Sequence, residues 1–114
     1  IYQLKDKNAR ISEYKAKSGV LRNFKKIGVL VNGASASASE ILAAALKDSY
    51  GATIVGMKTF GKGSVQTTKK YDDTMIKYTS AKWLRPNGDC VDKTGIKPDY
   101  EVEVKIEDAN DELF

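Results

Sequence analysis

A lysine set between glycines, in "GMKTFGKGS" over residues 56–64, is the first feature of this sequence that suggests chemistry. Gly56, Gly61 and Lys62 fit the phosphate-binding pattern G-x-x-x-x-G-K-[ST], but the next residue is Gly63 and the hydroxyl comes one position late. The segment that follows, "VQTTKKYDDTMIKYTS", alternates as a β-hairpin does, whereas a phosphate-binding loop opens a helix. Nucleotide binding is therefore a weak alternative, and Lys62 requires another role.

Three serines at alternate positions form the second candidate: Ser35, Ser37 and Ser39 stand in "SASASE", just before a predicted helix. Ser37 and Glu40 have the S-x-x-E spacing of a capping box, so capping alone is the plain interpretation. A serine at a helix N-terminus is also well placed as a nucleophile, because the free backbone N–H groups there can stabilise an oxyanion. On these residues alone, both interpretations stay open.

The choice of general base is narrow, because the 114 residues include no histidine and a single cysteine, Cys90. Within this chain, that composition excludes Ser-His-Asp and Cys-His sites, an internal disulfide and most zinc sites. A lysine can activate a serine if burial removes its proton, since a free lysine has a pKa of about 10.4. Lys62 lies between two glycines, which let its backbone approach a neighbouring loop. Gln66, four residues on, shares its side of an extended chain and carries a neutral amide that can orient an amine.

A β-α-β unit over residues 27–56 is predicted to position these groups. "IGVLVN" and "ATIVG" are apolar on consecutive positions, which is typical of strands buried on both faces. The helix between them is predicted from Ala38 to about Tyr50, ending at a Gly51 cap. Its predicted buried stripe consists of four apolar residues, Ile41, Leu42, Ala45 and Leu46. Such a unit places its first loop at the carboxyl edge of the sheet, where ligands of α/β folds usually bind.

Short strands are predicted on both sides of that unit. Residues 1–16 suggest two strands around the turn "DKNA", and residues 64–80 suggest a hairpin that turns at "YDD". Further short strands punctuated by glycine and proline lead to the alternating "YEVEVKI".

The charge of the chain is +4 overall and is unevenly distributed. Residues 1–26 hold eight Lys/Arg and two Asp/Glu, a net of +6, whereas residues 99–114 hold one and seven, a net of −6. The basic lysines alternate with apolar residues, which favours the solvated face of a hairpin over a nucleic-acid surface. The N-terminus has neither an initial methionine nor a signal sequence, so we expect the chain to be cut from within a longer protein.

The stretch "VLVNGASASASEILAAALKDSYGATIVGMKTFGKGSVQ" resembles the core of the C-terminal processing peptidases, or tail-specific proteases, which are Ser-Lys serine endopeptidases. The resemblance continues through "IKYTSAKWLRPNG" and "GIKPDYEVEV" and covers about residues 27–104. It implies that Ser37 is the nucleophile, Lys62 the general base and Gln66 the residue that positions the lysine. It also implies that the N–H of Ala38 forms half of the oxyanion hole.

The resemblance further implies an α/β fold, a Clp protease/crotonase-like core fragment with a β-α-β unit and additional β-hairpins. The expected divisions are a basic hairpin and connector over 1–26, the C-terminal half of the peptidase core over 27–106 and an acidic tail over 107–114. The implied reaction is hydrolysis of peptide bonds through an acyl-enzyme, with no metal or other cofactor. The implied substrates are proteins and peptides with accessible C-termini, which a PDZ domain captures outside the cytoplasm.

Two parts of the family pattern have no match in this sequence: the PDZ domain, and a segment ending in paired glycines that supplies the other oxyanion donor. Residues 1–26 also match none of the family motifs. We therefore expect an incomplete and inactive fragment, whose partners are the N-terminal part of the same protein and, through exposed strands, a second copy in a homodimer. The alternative is a non-catalytic binding or scaffolding module of the same fold, in which the serines act only as caps.

Overall fold

The computed structural model describes residues 1–17 and 24–103. These residues form seven strands and one helix, in the order β1 (Tyr2–Asp6), β2 (Ile11–Tyr14), β3 (Gly28–Val31), α1 (Ala38–Tyr50), β4 (Thr53–Gly56), β5 (Ser64–Tyr71), β6 (Thr74–Leu84) and β7 (Tyr100–Glu101). The helix within this described part is too short and too polar to cross a membrane.

The predicted β-α-β unit is confirmed. Strands β3 and β4 pair in parallel, with Val29 opposite Ile54 and Val31 opposite Gly56, and α1 connects them. Strand β4 also pairs in parallel with the short strand β7, which gives a three-stranded sheet of order β3-β4-β7. The last strand is shorter than "YEVEVKI" suggested, and residues 104–114 lie outside the described part of the chain.

The predicted hairpins are also confirmed, and they join into one antiparallel sheet of order β2-β1-β6-β5. Strand β6 pairs with β1 through residues 81–84 at its C-terminal end and with the whole length of β5 through residues 74–82. One irregularity interrupts the β5–β6 pairing: Val65 lies opposite Ala81, but Gln66 lies opposite Thr79. Ser80 is therefore an extra residue, which is the definition of a β-bulge.

The helix ends where the sequence predicts. Gly51 has the left-handed φ of 71°, and its N–H donates to the carbonyl of Lys47 at 3.0 Å. The N–H of Ala52 donates to the carbonyl of Leu46 at 3.1 Å. These two bonds satisfy carbonyls that a helix end would otherwise leave unpaired, so the Gly51 cap is confirmed.

The buried face of α1 differs from the predicted stripe. Leu42 is 60% exposed, whereas the buried residues are Glu40, Ala43 and Ala44. Two alanines have no long side chain, so the helix backbone can approach the sheet closely, and the buried glutamate is held by hydrogen bonds described below. A stripe chosen for hydrophobicity alone could not include Glu40.

Strand β3 is likewise buried on one face only. Val31 belongs to the core and Val29 packs against it, but Leu30, which points the other way, is 82% exposed. The expectation of burial on both faces is wrong for Leu30, because successive strand residues alternate between faces and the core lies on one side of β3. The core itself combines residues of both sheets, the helix and the segment between β6 and β7: Val31, Ala43, Ala44, Ile54, Trp83, Val91 and Ile96.

Asp99 ties α1 to strand β4. Its Oδ1 accepts a hydrogen bond from Lys47 Nζ at 2.5 Å, and its Oδ2 accepts one from the backbone N–H of Ile54 at 2.8 Å. The hydrogen bond from Lys47, followed by the one from Ile54, holds the pKa of Asp99 below its usual value. The charged form of this carboxylate therefore stabilises the folded state.

We expect Asp99→Asn to lower the free energy of unfolding at neutral pH by about 1 kcal/mol, since the pair is partly exposed. Because folding lowers this pKa, the contribution is present above the unfolded carboxyl value of about 3.9 and is lost as pH falls through the lower folded value. In thermal unfolding of the full-length protein, the variant should have a lower midpoint temperature than the parent at neutral pH, and the two midpoints should become equal in acid. Asp73→Asn, in the exposed β5–β6 turn, is the control. A difference in midpoint temperature that keeps its size in strong acid would contradict the stabilising role of the Asp99 charge.

Candidate active site

Ser37 stands immediately before α1 in an unusual backbone conformation. Its φ of 54° and ψ of −112° lie outside the regions that non-glycine residues ordinarily adopt. Such a conformation costs of order 1–3 kcal/mol and persists only where its surroundings impose it. The next residue, Ala38, begins the helix, and within residues 1–17 and 24–103 its backbone N–H has no acceptor. The strained serine and the free N–H thus lie side by side.

The carboxylate of Glu40 imposes this arrangement. Glu40 is completely buried, and its Oε2 accepts hydrogen bonds from the backbone N–H of Ser37 at 2.8 Å and of Lys62 at 2.9 Å. Its Oε1 accepts from the Thr59 hydroxyl at 2.5 Å and from the N–H of Gly61 at 2.7 Å. One side chain therefore fastens the start of the helix to the loop that carries Lys62.

Two further contacts hold the same loop. The backbone N–H of Phe60 donates to the carbonyl of Ser35 at 3.0 Å, and Trp83 Nε1 donates to the carbonyl of Lys62 at 2.9 Å. The Ser35 hydroxyl accepts from the N–H of Asn32 at 3.1 Å, so this serine serves the turn after β3. The main chain on both sides of Lys62 is thus fixed by the helix, the preceding turn and strand β6.

The glycines around Lys62 are required by close approach, as the sequence predicted. Gly61 has a φ of +90°, and a Cβ there would lie 2.8 Å from the backbone nitrogen of Gly95. A Cβ on Gly63 would lie 2.6 Å from the backbone nitrogen of Asp92. Both distances are shorter than any ordinary contact, so side chains at these positions would push the loop away from residues 92–95.

Asp92 clamps the far side of the loop. Its Oδ1 accepts a hydrogen bond from the N–H of Gly63 at 3.3 Å, and its Oδ2 pairs with Lys82 Nζ at 2.8 Å. The hydrogen bond from Lys82 is the main cause that keeps the pKa of Asp92 below its usual value. The same contact raises the pKa of Lys82. Asp92 is therefore an ionised clamp on the glycine that follows Lys62.

Ser37, Lys62 and Gln66 line a common cleft of about 380 Å³. The rest of its lining is largely apolar and comes from β1, α1, β5 and β6: Tyr2, Leu4, Ile41, Ser64, Val65, Lys77 and Trp83. The Lys62 side chain is exposed, and in the described part of the chain no hydrogen bond links it to the Ser37 hydroxyl or to Gln66. Ser35 and Ser39 do not line the cleft. The fold therefore brings the three predicted side chains together but leaves the lysine open to solvent.

Glu40 is the residue whose importance the sequence prediction missed. Its spacing from Ser37 indicated a capping box, and the bond from the Ser37 N–H supplies the glutamate half of that motif. The bonds from Thr59, Gly61 and Lys62 have no local signature, because these residues lie 19 to 22 positions away. The one signal available in the sequence was the S-x-x-E spacing, which connects Glu40 to Ser37 but not to the loop of Lys62.

Comparison with known families places this arrangement in context. The profile of peptidase family S41 matches residues 1–102, almost the whole chain. The chain belongs to peptidase family S41. The S41 match includes residues 1–26, which carried none of the motifs recognised in the sequence.

Individual S41 relatives agree with this assignment. A protein of Staphylococcus epidermidis named "Probable CtpA-like serine protease" is 46% identical over 93 residues, which are 79% of this chain and 19% of the relative. A protein of the same name from Staphylococcus aureus is 51% identical over 78 residues, 68% of this chain and 16% of the relative. The chain thus spans about a fifth of the length of these relatives.

A solved structure supports the fold as well. The photosystem II D1 C-terminal processing protease superposes with a TM-score of 0.82 at 36% identity, covering 90% of this chain and 27% of that protein. The fold is therefore that of an α/β core fragment of a C-terminal processing protease with additional β-hairpins.

We expect Glu40→Gln to destabilise the fold strongly. An amide keeps the size of the side chain but turns one acceptor into a donor that faces backbone N–H groups, so about two buried donors lose their partner. At roughly 1–3 kcal/mol for each, the free energy of unfolding should fall by roughly 2–6 kcal/mol. Denaturant unfolding of the full-length protein measures this, with the exposed Glu13→Gln as the control. Equal midpoints for the two variants would show that the Glu40 charge does not hold the site.

Proposed function

We propose that this chain supplies the nucleophile and the general base of a serine endopeptidase of the C-terminal processing type. The observation that carries the proposal is that Ser37 and Lys62 line one cleft while their backbone N–H groups share one carboxylate oxygen of Glu40. The family membership and the Ser-Lys pattern add to it. Because the chain spans a fifth of its relatives, the activity is proposed for the full-length protein.

In the proposed reaction, Lys62 acts as a neutral amine and takes the proton of the Ser37 hydroxyl as the oxygen attacks the carbonyl carbon of the scissile bond. The backbone N–H of Ala38 donates to the oxyanion that forms. The lysine then returns the proton to the leaving amine, and the C–N bond breaks to leave an ester on Ser37. A water molecule, deprotonated by the same lysine, attacks the ester carbonyl; the C–O bond to Ser37 breaks, the lysine returns the proton to the Ser37 oxygen, and the new C-terminus is released. No redox step and no cofactor are involved.

The proposal also assigns roles to Gln66 and to the N-terminal part of the full-length protein, which act beside Ser37 and Lys62. Gln66 positions the Lys62 amine through its amide, and the N-terminal part of the protein supplies the second oxyanion donor and captures substrate C-termini. The apolar walls of the cleft suit an extended, unfolded peptide. The proposed location of the full-length protein is outside the cytoplasm, in keeping with its resemblance to the C-terminal processing peptidases.

A non-catalytic binding module is the second candidate. Its support is that the Lys62 side chain is exposed and that no hydrogen bond connects it to Ser37 within the described residues. A serine-reactive phosphonate distinguishes the two, because only an activated serine forms the covalent adduct. Labelling of the full-length protein at Ser37 favours the peptidase, and a protein that stays unlabelled favours the binding module.

We expect Ser37→Ala in the full-length protein to abolish hydrolysis of an unstructured protein substrate, with a fall of several orders of magnitude in kcat. The matched variants Ser35→Ala and Ser39→Ala remove hydroxyls outside the cleft lining and should keep measurable turnover. The measurement is steady-state cleavage together with phosphonate labelling. Phosphonate labelling that survives in Ser37→Ala but disappears in Ser39→Ala would identify Ser39, and not Ser37, as the nucleophile.

Lys62→Arg tests the base separately. A guanidinium keeps its proton at all accessible pH values, so the variant retains the positive charge but cannot accept the serine proton, and we expect no detectable turnover. Lys58→Arg, at an exposed position four residues earlier, is the control and should retain parental kcat. Both proteins should unfold at similar temperatures. Rates close to the parent in Lys62→Arg would eliminate this lysine as the base.

A further inference from the structure

The amide of Gln66 has a partner that the proposed reaction does not use. Gln66 Nε2 donates a hydrogen bond to the hydroxyl of Thr79 on the neighbouring strand at 2.6 Å. An amide has one donor end and one acceptor end, so engaging the nitrogen determines which way the group is turned. With Nε2 on Thr79, the oxygen Oε1 is left to accept from a group in the cleft.

The β-bulge at Ser80 creates this pairing. A regular ladder would continue from Val65 opposite Ala81 to Gln66 opposite Ser80, but the extra residue places Thr79 there instead. Ser80 is occupied elsewhere, because its hydroxyl accepts a hydrogen bond from the Thr67 hydroxyl at 2.7 Å and donates one to the carbonyl of Val65 at 3.4 Å. The bulge therefore has its own hydrogen bonds and presents the Thr79 hydroxyl to Gln66, whose side chain lines the cleft.

We propose that Thr79 is a positioning residue, which acts on the Lys62 amine through Gln66. The Thr79 hydroxyl holds Gln66 Nε2, so that Oε1 accepts an N–H of the lysine and the nitrogen lone pair points toward the Ser37 hydroxyl. This inference rests on the proposed function of Lys62 and Gln66. Thr79 itself does not touch the substrate, and its loss should lower kcat with little change in KM, since substrate contacts remain.

A double-mutant cycle in the full-length protein tests the inference. Thr79→Val keeps the β-branched shape and removes the hydroxyl, and we expect a fall in kcat of about fivefold to tenfold, the value of one hydrogen bond. Thr79→Ala should lower kcat by the same factor. Thr79→Ser keeps the hydroxyl and should retain parental kcat. In a Gln66→Ala background, Thr79→Val should cost nothing further, because the hydroxyl acts only through the missing amide. Thr68→Val, exposed on β5, is the matched control.

Each outcome decides a specific point. An equal loss from Thr79→Val with and without Gln66 would assign Thr79 a merely structural role and overturn the inference. Parental kcat in Thr79→Val, or in Gln66→Ala, would also overturn it while leaving the Ser37 and Lys62 chemistry intact. Failure of the proposed function would be seen separately, as full activity in Ser37→Ala or Lys62→Arg. Three results together would support the positioning role of Thr79: a lower kcat in Thr79→Val, parental kcat in Thr79→Ser, and no further fall from Thr79→Val in the Gln66→Ala background.

Discussion

The buried carboxylate of Glu40 is the interaction on which the rest of the site depends. A charged group without water is costly unless its oxygens are fully hydrogen-bonded, and here four donors surround it. Three of the donors are backbone N–H groups, which cannot move without moving the chain. Satisfying the charge therefore forces the turn before α1 and the loop before β5 to meet at one point. Two of the residues joined there, Ser37 and Lys62, line the cleft.

The same carboxylate explains how Ser37 keeps its strained backbone. The φ and ψ of this residue cost of order 1–3 kcal/mol, and a hydrogen bond from an N–H to a charged acceptor contributes about 1.5–3 kcal/mol. The bond from the Ser37 N–H to Glu40 is thus of the right size to offset the strain. The conformation in turn leaves the Ala38 N–H without an acceptor in the described part of the chain. The strained backbone of Ser37, the capping carboxylate of Glu40 and the free N–H of Ala38 therefore depend on one another.

Sequence patterns predicted the elements well where local chemistry decides them. Helix α1 has the predicted bounds because Gly51 stops it and a polar loop starts it, and the parallel pairing of β3 and β4 follows from their apolar runs. The sequence predictions fail where tertiary contacts determine which residues are buried and which residues pair across strands. Leu42 is exposed and Glu40 is buried because the helix face was selected by close packing of alanines and by distant donors. The bulge at Ser80 leaves no local signature either, since it depends on which residue of β6 meets Gln66.

The open cleft is the remaining constraint on the proposed chemistry. A lysine accepts a proton only in its neutral form, and desolvation is the usual means of favouring that form. Lys62 and Lys77 line the same cleft, and both are exposed. A surface that excludes water from the cleft would desolvate the amine. The proposed peptidase requires such a cover, and the bound substrate itself, pressed against the apolar walls of the cleft, is suited to form part of it.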